Sequence, residues 1–159
     1  MNIHDAKIID LTVREDDRGY LFEIIHKSDE FVSGKGQEIR QVYVVGDRIE
    51  NIIRAFHKHD ELHDWFCIVK GSAKFVLVDD RKDSPTYKRF DMIVCSDRSS
   101  KLLVVPSGVY HGWMSLEPDT IMVSTASHEY NREKPDEYRV PPDEFNKLIG
   151  INPWEIKAK

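Results

Sequence analysis

Short apolar runs, each bounded by turn residues, dominate the chain from position 7 to position 125. The turns between them, as at 16–19, 70–72 and 117–119, contain glycine, proline and aspartate. This spacing, without a long helical period, is typical of an all-β sandwich or barrel, and we predict a jelly roll. The predicted strands lie at 7–13, 20–26, 39–45, 52–57, 65–69, 73–78, 92–95, 102–105, 110–115 and 120–125.

The character of the sequence changes after Tyr130, where prolines recur at short intervals. Proline interrupts regular strands and helices because it lacks a backbone N–H donor. We therefore expect this tail to wrap the barrel, with one short helix at 143–149. The pattern contains no internal repeat, and we expect residues 1–159 to form a single domain.

The charge pattern narrows the range of partners. The chain of 159 residues has a net charge of −5, with acidic and basic residues interspersed, which argues against nucleic acid or a membrane as the main partner. Cys67 and Cys95 lie in apolar runs outside any Cys-x-x-Cys motif, so we expect buried, reduced thiols. Because the sequence shows no leader pattern and no apolar run long enough to span a bilayer, we expect a cytoplasmic protein.

The number of predicted strands also bears on assembly. So many strands in one short domain leave open sheet edges, and natural proteins usually cover such edges or pair them with another chain. We therefore expect a homodimer. The predicted strands at 7–13 and 20–26 are the best candidates to add to a partner's sheet.

A cluster of histidines supplies the candidate chemistry. Because side chains alternate between the two faces of a strand, His57 and His59 share one face, and Asp64 follows them before a turn glycine. His111 lies at the start of a later strand, just after a Pro-x-Gly corner. Titratable groups in apolar surroundings are typical of functional sites. We predict that His57, His59, Asp64 and His111 line one pocket.

Several motifs fall in a recognisable order along the chain. They are Asp17-Arg18-Gly19-Tyr20-Leu21-Phe22-Glu23, Gln41, Arg54-Ala55-Phe56-His57, Val78-Asp79-Asp80-Arg81, Asp83-Ser84-Pro85-Thr86-Tyr87 and Pro106-Ser107-Gly108-Val109-Tyr110-His111-Gly112. In combination they resemble the dTDP-4-dehydrorhamnose 3,5-epimerase family from about residue 7 to residue 135. The resemblance implies a homodimeric cupin jelly roll that acts, without a metal or other cofactor, on a nucleoside-diphosphate 4-keto-6-deoxy sugar.

The resemblance also implies roles for individual residues. A histidine at the position of His57 removes a proton beside the ketone, a task that suits imidazole because its ordinary pKa is about 6.5. Arg54 and His59 are expected to stabilise the enolate. Arginine suits the diphosphate because its guanidinium binds phosphate with two N–H groups at once. The expected substrate-binding residues are Arg18, Glu23, Gln41, Arg54, His63, His111 and Tyr130.

Three features depart from the family pattern. Asp64 stands where the family has the lysine that stabilises the enolate. Ser124 stands where the family has its general-acid tyrosine, and a serine hydroxyl is a much poorer proton donor than a phenol. The family's C-terminal aspartate, which pairs with the catalytic histidine, is not matched in the tail, so we expect Asp143 or another tail acid to replace it.

Asp64 offers a substitute for the missing lysine. We expect it to accept a hydrogen bond from His59 or His63 and to raise the pKa of that imidazole, because a nearby negative charge favours the protonated ring. The resulting imidazolium would then supply the positive charge of the lysine. His57, His59 and Asp64 are therefore the predicted catalytic residues.

Other interpretations remain open. His57 and His59, with His63 nearby, also resemble the nucleotide-sugar 3,4-ketoisomerases, whose barrels use two such histidines to move protons. The spacing of His57, His59 and Asp64, completed by His111, is also that of a cupin metal site for a first-row divalent ion. A non-catalytic cupin that only binds sugar nucleotides is the last alternative.

Overall fold

The computed structural model describes residues 1–35 and 37–156. Its strands are β1 (Lys7–Asp10), β2 (Arg14–Asp16), β3 (Gly19–Leu21), β4 (Gln41–Asp47), β5 (Ile53–Lys58), β6 (Asp64–Lys70), β7 (Ser72–Asp79), β8 (Phe90–Ser96), β9 (Lys101–Val105), β10 (Val109–Ser115), β11 (Thr120–Ala126) and β12 (Tyr138–Arg139), and its helices are α1 (Glu30–Ser33) and α2 (Asn146–Ile149). Neither helix in these ranges has the length and apolar character needed to cross a membrane.

Two five-stranded sheets form the body of the fold. The first has the strand order β1-β9-β6-β11-β4 and the second the order β12-β5-β10-β7-β8, while β2 and β3 form a separate hairpin. All pairings are antiparallel, and many neighbouring strands lie far apart in the sequence, as expected of a double-sheet jelly roll. The predicted all-β jelly roll with a short C-terminal helix is confirmed.

The main core fills the space between the two sheets. Phe66 from the first sheet packs there with Phe75 and Trp113 from the second. Cys67, which follows Phe66, belongs instead to a cluster on the outer face of the first sheet. Val76, which follows Phe75, belongs to a cluster on the outer face of the second sheet. Because side chains alternate along a strand, each sheet has apolar residues on both of its faces. Both outer faces must therefore be covered by other segments of the chain.

The segment between β3 and β4 covers the outer face of the first sheet. Phe22 and Ile24 pack there in one cluster with Trp65 of β6. The prediction of a strand at 20–26 is therefore wrong after Leu21. The apolar side chains pack directly onto the sheet, without a ladder partner for their backbone.

The tail covers the outer face of the second sheet, as expected. Phe145 and Trp154 pack against Phe56 of β5. The backbone of Val140 exchanges two hydrogen bonds with that of Phe56, at 2.9 and 3.1 Å. Strand β12, which sequence analysis did not predict, adds the tail to the edge of the sheet beside β5. The helix is shorter than the predicted 143–149, because it begins only at Asn146.

The family-like motif after β7 builds a loop. The buried carboxylate of Asp79 accepts hydrogen bonds from Arg81 Nε at 2.9 Å and from Ser84 Oγ and Thr86 Oγ1, both at 2.6 Å. Burial pushes the pKa of Asp79 upward, but these hydrogen bonds outweigh it and lower the pKa. The motif therefore has a structural explanation, independent of any ligand.

Both cysteines are buried free thiols, as predicted. Cys67 lies on β6 and Cys95 on β8. Burial raises the pKa of each thiol to about 11. Neither is therefore a reactive thiolate near neutral pH.

Candidate active site

A cavity of about 620 Å³ lies between the two sheets. Its walls combine apolar side chains with a few polar groups, which is typical of small-molecule sites. It is lined by Gln41, Tyr43, Val45, Ile53, Arg54, Ala55, His57, His59, Leu62, Asp64, Phe66, His111, Trp113, Met122, Ala126, Tyr130, Glu137 and Arg139.

Two neighbouring strands of the second sheet bring histidines into this cavity. His57 of β5 and His111 of β10 are directly opposite each other in the antiparallel ladder, so their side chains share one face. Their ring centroids are 6.2 Å apart, and the ring of His59, just beyond β5, is 5.4 Å from that of His111. The structure thus brings together the histidines that the sequence pattern grouped.

Asp64, the first residue of β6, is the carboxylate of this cluster. Its Oδ2 atom lies 3.5 Å from His59 Nε2 and 3.6 Å from His111 Nε2. Burial raises the pKa of Asp64 to about 7, although the positive charge of His59 opposes this shift. The carboxyl group therefore keeps its proton to a much higher pH than an exposed aspartate does.

His111 differs from the other histidines because it is deeply buried. Burial and the nearby charges of His59 and His57 lower the pKa of His111 to about 3. Its imidazole is therefore neutral at physiological pH. It can accept or donate a hydrogen bond in the cavity but does not carry a positive charge there.

Glu137 is a partner of His57 that sequence analysis did not identify. Its Oε1 atom accepts a hydrogen bond from His57 Nδ1 at 2.6 Å, and its Oε2 atom accepts one from Arg139 Nη2 at 2.8 Å. Burial pushes the pKa of Glu137 upward, but the hydrogen bonds from Arg139 and His57 outweigh it and lower the pKa. Since Nδ1 donates to Glu137, the lone pair of a neutral His57 is on Nε2.

The tail acid that meets the histidine is thus Glu137. Asp143, which sequence analysis named first, is exposed and lies outside the residues that line the cavity. Pairing of β12 with β5 places Arg139 opposite His57 and so fixes Glu137 beside it. The available signal was the acidic pair at 136–137, directly after a proline.

Asp136 orients the second histidine. Its carboxylate accepts hydrogen bonds from the three successive backbone N–H groups of residues 60–62, at 2.8, 2.9 and 3.0 Å. Its carbonyl oxygen accepts a hydrogen bond from His59 Nδ1. These contacts hold the loop after β5 so that Nε2 of His59 faces Asp64.

The first sheet forms the facing wall through β4 and β11. Gln41 and Tyr43 of β4 line the cavity, and Gln41 Oε1 accepts a hydrogen bond from the backbone N–H of Tyr130 at 2.7 Å. Ser124 of β11 lies directly opposite Tyr43 in the ladder and is fully buried. The first sheet therefore presents the amide of Gln41 and the phenol of Tyr43 from β4 and the carboxylate of Asp64 from β6, whereas the second sheet and the tail beside it present imidazoles and the carboxylate of Glu137.

Two arginines give the cavity its positive charge. Arg54 donates from Nε and Nη2 to Asp47 Oδ1, at 2.9 and 2.7 Å, and its side chain remains 46% exposed. Arg139 donates to Glu137 and is 69% exposed. Because each guanidinium carries five N–H donors, both retain donors for an anion.

The structure does not bring three of the predicted substrate-binding residues to this cavity within one chain. Arg18 is on the β2–β3 hairpin, where it binds Asp16, and its side chain is 89% exposed. Glu23 lies beyond that hairpin, in contact with His26. His63 lines a different depression, and its Nδ1 atom faces the carbonyl oxygen of Glu61 at 3.4 Å.

A metal ion has a possible set of ligands here. Among the described residues, one ligand atom from each of His59, Asp64 and His111 lies within 4.8 Å of the others. Two imidazoles and a carboxylate suit a first-row divalent ion. His57, the fourth ligand of the predicted set, is outside this group.

Fold and site together define a cupin whose cavity is lined by three histidines and two acidic residues, Asp64 and Glu137. The family model described as dTDP-4-dehydrorhamnose 3,5-epimerase matches residues 1–149, and the chain belongs to that family. It is therefore a member of a family of nucleotide-sugar epimerases.

Two curated relatives match most of the chain. The spore coat polysaccharide biosynthesis protein SpsL of Bacillus subtilis is 33% identical over 159 residues, which is 99% of either chain. The probable low-salt glycan biosynthesis epimerase Agl13 of Haloferax volcanii is 30% identical over 145 residues, or 89% of this chain and 90% of the relative.

Solved structures show the same fold. The dTDP-4-dehydrorhamnose 3,5-epimerase of Bacillus anthracis, solved with TDP and PPi bound, is 28% identical with a TM-score of 0.78, over 88% of this chain and 81% of that one. An epimerase of Mycobacterium tuberculosis has a TM-score of 0.82 at 24% identity, over 95% of this chain and 75% of that one.

Proposed function

We propose that this protein epimerises a dTDP-linked 4-keto-6-deoxy sugar, with His57 as the base that removes a proton beside the ketone. The observation that carries the proposal is the hydrogen bond between His57 Nδ1 and Glu137, at 2.6 Å, on the wall of a cavity. A histidine oriented by a carboxylate on one nitrogen and free on the other is a standard arrangement for a general base.

The proposed reaction inverts a carbon next to the ketone. His57 Nε2 takes the proton from that carbon, and the electron pair of the broken C–H bond forms the C=C bond of an enolate. Glu137 stabilises the imidazolium that results, through its hydrogen bond to Nδ1. Return of a proton to the opposite face of the carbon restores the ketone with inverted configuration.

The enolate oxygen needs a proton donor or a positive charge close by. The His59–Asp64 pair supplies one in place of the family's lysine. His59 Nδ1 donates to the carbonyl oxygen of Asp136, and His59 Nε2 lies 3.5 Å from Asp64 Oδ2. Because burial raises the pKa of Asp64 to about 7, its carboxyl group can hold and donate a proton at physiological pH.

The two arginines support the choice of an anionic substrate. Arg54 and Arg139 line the cavity with exposed guanidinium groups, which suits a diphosphate. Gln41 and Tyr130 lie together on the facing wall and are proposed to contact the sugar nucleotide. TDP is bound in the related Bacillus anthracis enzyme, which supports thymidine as the nucleoside.

We also propose a homodimer. Tyr20 on the β2–β3 hairpin is 67% exposed, and Val42 and Val44 on the edge strand β4 are 61% and 65% exposed. Exposed apolar side chains beside an open sheet edge favour pairing with a second copy. A partner's hairpin is then the route by which Arg18 and Glu23 reach a cavity. Light scattering coupled to size exclusion tests this, and a monomer at micromolar concentration would contradict it.

A cytoplasmic location is proposed as well. Cys67 and Cys95 are free thiols, as is usual in a reducing compartment. Fractionation of cells that express the protein at its native level, followed by immunoblotting, tests this location. Recovery in a membrane or extracellular fraction would contradict it.

A metal-dependent cupin is the second candidate function, favoured by the grouping of His59, Asp64 and His111 within 4.8 Å. Elemental analysis of protein purified without an affinity tag, with activity measured before and after chelation, distinguishes the two. Stoichiometric zinc, iron, nickel or manganese that is lost together with activity in Asp64→Asn would refute the metal-free mechanism. Full activity in metal-free protein would refute the metal site.

The main experiment follows hydrogen exchange in heavy water. We expect deuterium to enter C3, C5 or both when the protein is incubated with a dTDP-4-keto-6-deoxy sugar, as observed by NMR. Migration of the carbonyl group would instead identify a 3,4-ketoisomerase. Binding without exchange would identify a non-catalytic sugar-nucleotide-binding protein. The control is His4→Asn, which changes an exposed histidine outside the cavity.

A further inference from the structure

The proposed reaction needs a proton donor, and the resemblance to the family does not point to one in this chain. By that resemblance, Ser124 occupies the position of the family's general-acid tyrosine. It is fully buried, and its Oγ atom has no hydrogen-bond partner within residues 1–35 and 37–156. A buried serine hydroxyl is a poor acid, so another group must return the proton.

A tyrosine lies directly opposite this serine on the neighbouring strand. Tyr43 of β4 and Ser124 of β11 are paired in the antiparallel ladder. Directly paired residues have Cβ atoms about 4.5–5.5 Å apart and side chains on the same face of the sheet. The phenol therefore sits one strand away from the position where the family has it, and the small serine leaves room for it.

The register places this pair on the inner face of the first sheet. On β6, the residue that pairs with Ser124 is Phe66, which belongs to the core between the sheets. Two residues further along the three strands, the next inward-facing positions are Gln41, Ala126 and Asp64, and all three line the cavity. Tyr43 lines the same cavity and is 40% exposed, as expected for a residue at an open site.

Tyr43 and His57 lie on opposite walls of the cavity. Tyr43 belongs to the first sheet and His57 to the second, with the cavity between them. Inversion at carbon requires removal of a proton from one face and delivery of a proton to the other. A base and an acid on facing sheets meet this requirement.

We propose that Tyr43 is the catalytic acid that returns a proton to the carbon from which His57 removes one, an inference that rests on the proposed function. In this step the phenol O–H bond breaks and a C–H bond forms from the electron pair of the enolate C=C bond. The ketone is restored, and the tyrosinate regains a proton from solvent.

The electrostatic surroundings keep this phenol protonated until it acts. Partial burial and the negative charges of Asp64 and Glu137 raise the pKa of Tyr43, and the neighbouring Ser124 hydroxyl opposes them only partly. Tyr130, the other tyrosine that lines the cavity, is 57% exposed, and its backbone N–H donates a hydrogen bond to the side chain of Gln41. It is therefore the natural comparison variant.

The test compares inversion with exchange in Tyr43→Phe, using a dTDP-4-keto-6-deoxy sugar in heavy water. We expect the rate of epimerised product to fall about 100-fold or more, the usual loss for a general acid. Exchange of deuterium into recovered substrate, which His57 catalyses alone, should stay within a few-fold of the parent. Tyr87→Phe, at an exposed tyrosine outside the cavity, should change neither rate.

The outcomes separate this proposal from the one on which it rests. Parallel loss of exchange and inversion in Tyr43→Phe, with TDP affinity and thermal stability unchanged, would overturn the role of Tyr43 as the acid. Unchanged epimerisation in Tyr43→Phe would also overturn it. So would a loss of inversion without a loss of exchange in Tyr130→Phe instead of in Tyr43→Phe. Absence of exchange in the parent protein would refute the proposed function itself.

Discussion

The two walls of the cavity are built in different ways. On the second sheet, His57 and His111 are cross-strand neighbours, and Glu137 of the tail contacts His57 directly. On the first sheet, Tyr43 and Ser124 are also cross-strand neighbours, but neither side chain forms a hydrogen bond with the tail as far as it is described, to residue 156. The proposed base is thus held by a dedicated carboxylate, whereas the proposed acid depends on its position in the sheet.

This difference has a chemical reason. A base that becomes positively charged gains from a fixed negative partner, and Glu137 provides it. A phenol that must stay protonated gains from burial and from nearby negative charge, which Asp64 provides without direct contact. Because such an acid needs no direct partner, it can be located on β4 or on the adjacent strand β11, whose inward side chains face the same cavity.

Removal of the base should have the largest effect. His57→Asn is expected to abolish both exchange and epimerisation, with a loss of at least about 1,000-fold, since no other imidazole of the wall is paired with a carboxylate at hydrogen-bond distance. The readout is NMR of the sugar protons in heavy water. Residual exchange above about one-hundredth of the parent rate would move the role of base to another residue.

Loss of the tail carboxylate should rank next. Glu137→Gln keeps the shape of the side chain but removes the charge that stabilises the imidazolium, so we expect kcat to fall about 100-fold with little change in KM. Glu137→Asp should recover part of the loss because it keeps the charge. Glu133→Gln, on the same tail but outside the cavity, serves as the matched control. Equal kcat in Glu137→Gln and the parent would remove the carboxylate from the mechanism.

Asp64→Asn should have a smaller effect on turnover. We expect about a 10-fold loss in kcat, because the carboxyl proton of Asp64 would be lost while His57 and Glu137 stay in place. TDP affinity, measured by calorimetry, should be unchanged because the arginines that we propose to bind phosphate lie elsewhere on the wall. Weakened TDP binding in this variant would instead make Asp64 part of the nucleotide site.

The smallest expected effect is on the pH dependence of stability. The pKa of Asp64 is raised from 3.8 to about 7, so the folded protein binds this proton more tightly than the unfolded chain, and the free energy of unfolding falls as pH rises from about 4 to 7. The pKa of His111 is lowered from 6.5 to about 3, so the free energy of unfolding rises with pH between about 3 and 6.5. Each slope is at most about 1.4 kcal/mol per pH unit, and the two oppose each other.

Variants at the two positions should expose these slopes separately. Between pH 4 and 6.5, the free energy of unfolding of Asp64→Asn should rise with pH more steeply than that of the parent. The free energy of unfolding of His111→Gln should fall as pH rises. Urea titrations at a series of pH values measure the free energies. Parallel curves for the parent and both variants would show that these two groups are not the buried titrating pair.

Local pattern was enough to predict the jelly roll and the histidine wall. Strand alternation places His57 and His59 on one face, and the corner before β10 places His111 at the start of a strand. These inferences succeed because the side-chain period of a strand is a property of the backbone itself. The predicted strand at 20–26 failed after Leu21 for the complementary reason, since an apolar segment can pack onto a sheet without pairing.

The sequence by itself therefore determined the fold class, the histidines of the second sheet and the buried Asp64 beside them. Only the tertiary structure decided that Glu137 meets His57, that Tyr43 lies opposite Ser124, and that Arg18 and Glu23 lie away from the cavity of their own chain. The physical reason is the distance along the chain over which each interaction acts. Alternation along a strand is local, whereas the choice of which strand a tail joins, or which strands pair across a sheet, depends on burial of apolar surfaces far apart in the chain.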